Sequence, residues 1–207
     1  MGVAELEVAG LAARAARISF SGELAYEVYV RAGEAGALWD ALAGAVEAEG
    51  GCLYGLEALD ILRVEKGHVT HREMDGRVTL SDLGMPRMAS RKKPFVGSAL
   101  LGRAELTRED RRRLVGLEPV ERAARVRAGA ILCRPERLGG HGVGHVTSIA
   151  DSPAAGARIA LGFVEGGLAA REGEELVAMD PTDGGRRVRM RVVPPAFVDP
   201  EGERLRG

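Results

Sequence analysis

Aromatic side chains are scarce in this chain: one Trp, three Tyr and four Phe among 207 residues, 4% in all, so each one is worth locating. Cysteine is scarcer still. Cys52 and Cys133 stand far apart and form no CxxC pair. Two such residues exclude a disulfide framework and a cysteine zinc site, and they fit a reducing, cytoplasmic compartment. Charge of one sign is lacking too: 29 Lys and Arg against 30 Asp and Glu leave a formal net charge of −1. No basic excess invites nucleic acid or an anionic membrane surface. No apolar run approaches the roughly 20 residues that a membrane span needs, and the first residues lack the layout of a secretion signal.

What is present is ordinary globular composition, 45% hydrophobic and 29% charged, enough for one large domain or two small ones. Residues 1–17 are alanine-rich and weakly patterned and read as a linker or boundary segment. Strand signals follow at 17–20 and 26–30. Helical spacing of Leu38, Trp39, Leu42, Ala45 and Val46 predicts a helix over 34–49, stopped by Gly50-Gly51. A second helix is predicted over 56–66, with Leu56, Leu59, Leu62 and Val64 as its apolar face and Gly67 as its end. Residues 68–91 break into turn chemistry, and a short helix is expected near 98–106.

The charged run Thr107-Arg108-Glu109-Asp110-Arg111-Arg112-Arg113 marks a domain boundary, giving 1–106 and 107–207. Beyond it the period changes to 2, with frequent glycine. Strands are expected at 114–117, 130–132, 142–148, 157–164, 176–178 and 186–193. Short strands at such spacing predict a small antiparallel barrel, and the chain as a whole reads as α+β.

The residues with the most chemical content lie early, in Ile18-Ser19-Phe20-Ser21-Gly22-Glu23-Leu24-Ala25-Tyr26-Glu27-Val28-Tyr29-Val30. Alternation puts Tyr26, Val28 and Val30 on one strand face and Glu27 with Tyr29 on the other. A carboxylate in a strand must be wet, paired or ligand-bound. Arg63, in Leu62-Arg63-Val64-Glu65-Lys66-Gly67, has two open readings. It complements the helix dipole beside Lys66, or it reaches into the core to orient a loop or a ligand. His68 and His71 are three apart but lack an obvious third metal ligand, and His141 and His145 look structural. No dinucleotide fingerprint, P-loop or GxSxG is present, so a self-contained hydrolase, kinase or dehydrogenase is not indicated.

Six segments in order carry a family resemblance. They are Ser19-Phe20-Ser21-Gly22-Glu23-Leu24, Tyr54-Gly55-Leu56-Glu57, Leu62-Arg63-Val64-Glu65-Lys66-Gly67, Lys92-Lys93-Pro94-Phe95-Val96-Gly97, Gly144-His145-Val146-Thr147-Ser148 and Asp199-Pro200-Glu201-Gly202-Glu203-Arg204-Leu205. The chain resembles the aminomethyltransferase (glycine-cleavage T-protein) family, and within it the C-terminal folate-binding region of sarcosine oxidase alpha subunits. The resemblance implies a partial folate-binding α/β domain followed by a Greek-key-like β-barrel. It implies tetrahydrofolate as cofactor, with Glu27 binding the pterin, Phe20 packing on it, and Tyr54 and Arg63 in the binding region. A carboxylate there can accept two adjacent N–H donors from the aminopyrimidine edge.

Two departures stand out. Phe20 lacks the hydroxyl of the tyrosine that the family often has. Leu59 stands where glycine-cleavage proteins carry an arginine, which favours the sarcosine oxidase likeness. The family's catalytic aspartate belongs to a region upstream of this sequence, so the chain carries no catalytic residue of its own and is expected to be one part of a larger or split enzyme. In such enzymes an N-methyl amine is demethylated at a flavin elsewhere in the complex, where NAD also binds, and tetrahydrofolate captures the one-carbon unit. The alternatives are a glycine-cleavage-type aminomethyltransferase fragment and a non-catalytic assembly module. A bare strand face near Ile18 and Val28, covered by other subunits, the upstream segment or a homo-oligomer partner, is a further expectation.

Overall fold

The computed structural model describes residues 2–90 and 92–207; Met1 and Arg91, which bound two of the segments above, lie outside them. The chain divides into two compact units, one running to Leu62 and including Glu201–Gly207, the other Arg63–Pro200.

The first unit holds an antiparallel sheet, β1 (Val3–Val8), β2 (Leu11–Ala16) and β3 (Glu27–Tyr29), in the order β1-β2-β3. A helix α1 (Ala35–Ala48) follows, and α2 (Leu56–Lys66) runs on into the second unit. The segment expected to be a linker is therefore a hairpin. Its turn uses Ala9 at φ 51° and Gly10 at φ 78°, both left-handed, which suits the twist of a two-residue hairpin. Alanine is a poor strand former and Ala-Gly is a weak hairpin signal, so local pattern hides the element. The strand expected at 17–20 is absent. Arg17 and Ile18 instead make single backbone bonds to Gly2 and Ala16.

Register sorts this sheet into two faces. Val3, Glu5 and Arg14 share a face with Ala16, Glu27 and Tyr29; Leu6, Ala13, Ala15 and Val28 share the other. Among the described residues of this unit, the buried hydrophobics are Ala13, Ala16 and Leu38 alone. Trp39 is 59% exposed and Leu56 84%, and Leu42 and Ala45 are exposed too, so four of the nine apolar positions read from α1 and α2 face outward. The tail is tied back by Arg17, which donates to the carbonyls of Leu205 (3.2 Å) and Arg206 (2.8 Å), and by the Arg204–Glu23 pair at 3.0 Å.

The second unit is dominated by a closed barrel of β4 (Arg112–Pro119), β5 (Ile131–Cys133), β6 (Gly144–Ser152), β7 (Ala157–Glu165), β8 (Glu175–Asp180) and β9 (Arg186–Val193). Every expected barrel strand is present. The order β4-β7-β6-β5-β8-β9 contains a Greek key: β5, β6 and β7 pair in sequence, and β4 lies beside β7. The β4–β9 pairing closes the ring and leaves no open edge. Inward residues such as Val115, Leu117, Leu132, Val146, Leu176 and Met190 fill it with aliphatic side chains. The short helix expected at 98–106 is split into a 3-10 turn, Ser98–Leu100, and α3 (Ala104–Thr107); a further short helix, α4 (Gly167–Arg171), precedes β8.

One irregularity in the barrel redirects a polar side chain. Between Val146 and Ser148 the β6–β7 register slips, so Thr147 has no partner opposite it. Such a bulge reverses the alternation of the residues beyond it. Val146 and Ile149 both meet the barrel core, and Ser148 is turned away from it.

Candidate functional site

Glu27 opens β3 on the polar face of the first unit's sheet, and its carboxylate is exposed. The Tyr29 hydroxyl donates to Glu27 Oε2 along the same strand face, as period-2 alternation requires. By accepting that hydrogen bond, the Glu27 carboxylate raises the Tyr29 phenol above its ordinary value. Opposite them in register stand Ala16 and Arg14, and Arg14 is bound to Glu5 at 2.6 Å. A shallow hollow of about 390 Å³ is lined by Tyr29, Val30, Arg31, Arg14, Glu5, Ala12 and Ala13. An ionised carboxylate has about four acceptor positions, so one phenol leaves Glu27 able to take further N–H donors.

Phe20 lies in the turn between β2 and β3. The Ser19 hydroxyl accepts the Gly22 amide at 3.0 Å, and Gly22 sits at φ 91°, closing the turn and leaving Phe20 38% exposed. Tyr54 lies in the irregular stretch between α1 and α2, 60% exposed. These three residues belong to the first unit.

Arg63 belongs to the second unit and is a different kind of residue, with no exposed surface. Its Nη2 donates to Ser148 Oγ at 2.8 Å, and its Nη1 to Glu73 Oε2 and the His68 carbonyl, each at 3.3 Å. Of its two readings, the side chain therefore follows the one that reaches inward and orients a loop. Ser148 Oγ accepts from Arg63 and donates to Glu73 Oε1 at 2.6 Å. Glu73 also accepts the Thr70 amide (2.8 Å) and hydroxyl (3.1 Å), which folds 70–73 into a tight turn. Burial pushes the Glu73 carboxyl up, but the bonds from Ser148 and Thr70 and the Arg63 charge outweigh it and hold it below the usual carboxylate range.

The rest of the α2 terminus is equally committed. Val64 is fully buried, and Glu65 accepts the Ser152 hydroxyl at 2.5 Å. Lys66 pairs with Asp199 at 2.9 Å. Gly67 ends the helix at φ 75°, where a Cβ would lie 2.5 Å from the Pro195 carbonyl oxygen. Sequence reasoning missed Glu73 and the role of Ser148. The only local signal was the Thr70-x-x-Glu73 spacing, which suits a turn in which side chain and backbone bond reciprocally.

Comparison with known proteins divides the chain at a different place, shortly before the barrel rather than at Leu62. The GCVT N-terminal domain family matches residues 1–93, and the glycine cleavage T-protein C-terminal barrel domain family matches 112–199. The sarcosine oxidase subunit alpha of Rhizobium meliloti is 43% identical over 192 residues, covering 91% of this chain and 19% of the relative. An aminomethyltransferase of Streptomyces coelicolor is 38% identical over 179 residues, covering 84% of this chain and 46% of the relative. In structure, the glycine cleavage system aminomethyltransferase T from Bartonella henselae aligns with a TM-score of 0.71 at 27% identity, over 90% of this chain and 50% of that one. The chain thus spans a minor part of the sarcosine oxidase subunit it matches and no more than half of these two aminomethyltransferases. With an N-terminal and a C-terminal domain of one family matched in order along it, the chain belongs to the glycine-cleavage T-protein (aminomethyltransferase) family.

Proposed function

We propose that this chain is the folate-binding C-terminal part of a sarcosine oxidase-like enzyme that demethylates N-methyl amines in the cytoplasm. A partial folate-type region over 1–106 and a barrel over 107–207 would be its two domains. The observation that carries the reading is the exposed Glu27 carboxylate, bound by the hydroxyl of Tyr29, a residue that also lines a shallow hollow. Its chemistry fits the reduced pterin, whose aminopyrimidine edge offers adjacent N–H groups to an ionised acceptor. Glu27 would anchor that edge, with Tyr29 fixing its rotamer. Phe20 and Tyr54 would supply planar apolar surface against the ring. Arg63, fully buried, would act from behind by holding the 68–73 loop against β6. Tetrahydrofolate, when bound, supplies the amine nitrogens that accept the one-carbon unit. Flavin and NAD chemistry would belong to other parts of the complex.

The exposed apolar side chains of the first unit, Trp39, Leu42, Tyr26 and Leu53 among them, support cover by the upstream segment or another subunit. Calorimetric titration with tetrahydrofolate tests the proposal, run on the chain alone and with the upstream segment supplied. Saturable binding that requires the upstream segment and falls at least about tenfold in Glu27→Gln is expected. Binding that Glu27→Gln leaves unchanged, or none under either condition, overturns it and leaves the assembly-module reading.

A further inference from the structure

A second concavity lies wholly among residues of the barrel unit. About 330 Å³ in volume, it is bounded by the 72–78 loop, the 105–112 segment and the facing ends of β6 and β7. That volume suits a small molecule. Its walls combine two chemistries. The apolar part is Val78 with a stacked pair: the His145 and Phe163 rings, cross-strand partners, lie with centroids 5.8 Å apart and planes at 23°. Phe163 is buried, and His145 is partly buried above it.

The polar part is cationic. Five guanidiniums line the space, from Arg72, Arg77, Arg108, Arg111 and Arg112, with the carboxylates of Asp75, Glu105 and Asp110. Most of these ions are already matched. Arg77 pairs with Asp75, Arg108 with Glu105 (3.1 Å) and Asp110 (2.5 Å), and Arg111 with the buried Asp82 at 2.5 Å. Arg112 bonds the Gly142 carbonyl at 2.7 Å and has no carboxylate partner among the described residues. The field this leaves is felt at His145. Burial, then the charges of Arg112 and Arg77, lower its pKa against the smaller opposing pull of Asp75, so the imidazole is neutral at neutral pH.

We propose that this cavity binds a small organic monoanion with a flat apolar body, such as an aromatic carboxylate, its charge against Arg112 and its ring over the His145–Phe163 pair. A cation is disfavoured by the same guanidiniums, and a neutral apolar molecule makes no use of the exposed Arg112 charge. A bare inorganic anion would leave the aromatic surface unused. None of this depends on folate binding at Glu27, and no lining residue comes from the first unit.

Titrating the full chain with benzoate, while following the His145 and Phe163 ring signals by NMR, tests the assignment. Saturable shifts centred on His145 are expected, at least about tenfold weaker in Arg112→Gln and unchanged in Glu27→Gln. Inorganic phosphate, at matched ionic strength, should bind at least about tenfold more weakly than benzoate. A thermal melt of Arg112→Gln matching the parent shows that any lost binding is not lost folding, and His145→Gln gives a second variant if it does not match. Linear, non-saturating shifts overturn the proposal. So does equal affinity for phosphate, retention of binding in both Arg112→Gln and His145→Gln, or its loss in Glu27→Gln.

Discussion

Arg63 and Ser148 are 85 residues apart in sequence and joined by a buried hydrogen bond of 2.8 Å. The same serine hydroxyl donates onward to Glu73, so three buried polar groups satisfy one another. The bond exists because a bulge turns Ser148 away from the barrel core and because α2 ends with Arg63 facing inward. A buried pair of this kind contributes little over a well-packed apolar substitute, but breaking it strands a charge.

Removing one member should therefore be worse than removing both. Arg63→Met is expected to lower stability by about 3–5 kcal/mol, while the Arg63→Met/Glu73→Met double variant should lose clearly less than the sum of the singles. Urea denaturation of the full set measures the coupling. Strict additivity would mean that the two side chains do not interact.

Acid should weaken this region in a definite window. Glu73 and Asp82 both titrate below their ordinary range in the fold. For Asp82, burial pushes up, but the bonds from Arg111 and Thr79 and the Arg111 charge prevail. A carboxylate depressed in the folded state stabilises it above the unfolded pKa, about 4, and that contribution is lost as pH falls through the folded value. Unfolding midpoints measured from pH 6 downward should decline below about pH 4, and less steeply in Glu73→Gln than in the parent chain. An identical slope in both would exclude Glu73 as a source of the decline.

Gly67 and Gly144 should resist substitution for different reasons. Gly67 has a left-handed φ of 75° and lies against the Pro195 carbonyl. At Gly144 a Cβ would come within 2.0 Å of the Phe163 carbonyl oxygen, across the β6–β7 pairing. Alanine at either site is expected to destabilise by about 1–3 kcal/mol or more, whereas alanine at Gly139, with open space around it, should be nearly silent. Thermal melts of the three variants rank them.

Tyr29 should titrate later than an ordinary phenol because its hydroxyl donates a hydrogen bond to Glu27 that holds the proton on the phenol. Spectrophotometric titration of the chain's three tyrosines should show one high-pH phase that moves down in Glu27→Gln and vanishes in Tyr29→Phe. A titration curve unaltered by Glu27→Gln would separate the two residues in solution.

The outward apolar side chains of α1 should matter for association more than for folding. Trp39→Ser is expected to change stability by no more than about 0.5 kcal/mol, since the side chain is 59% exposed, and to reduce self-association in sedimentation experiments. A large loss of stability would show that Trp39 packs into a core in solution.

Much of the architecture was legible along the chain. The barrel strands are short aliphatic runs with glycine between them, alternating clearly in β9 and buried on both faces in β4 and β7, and α2 begins and ends where Leu56 and Gly67 imply. The hairpin of Val3–Val8 and Leu11–Ala16 was not legible, because alanine-rich strands joined by Ala9-Gly10 carry almost no local signal. Helical spacing also misjudged α2. Leu56 points outward, while Arg63 and Glu65, both charged, are buried among partners drawn from β6.

Of the candidate site, the shared face of Glu27 and Tyr29 followed from alternation alone, a property of neighbouring residues. The hollow beside them did not, since Arg14 and Ala12 enter it from that same weakly patterned hairpin. Periodicity, glycine placement and the order of short motifs act over a few residues, so the amino-acid order by itself determined the fold class, the barrel and the family. The destination of the Arg63 charge, the buried state of Glu73 and the arginine-rimmed cavity over His145 were decided only by tertiary structure. Each depends on groups brought together across long stretches of chain, where burial and charge pairing outweigh local preference.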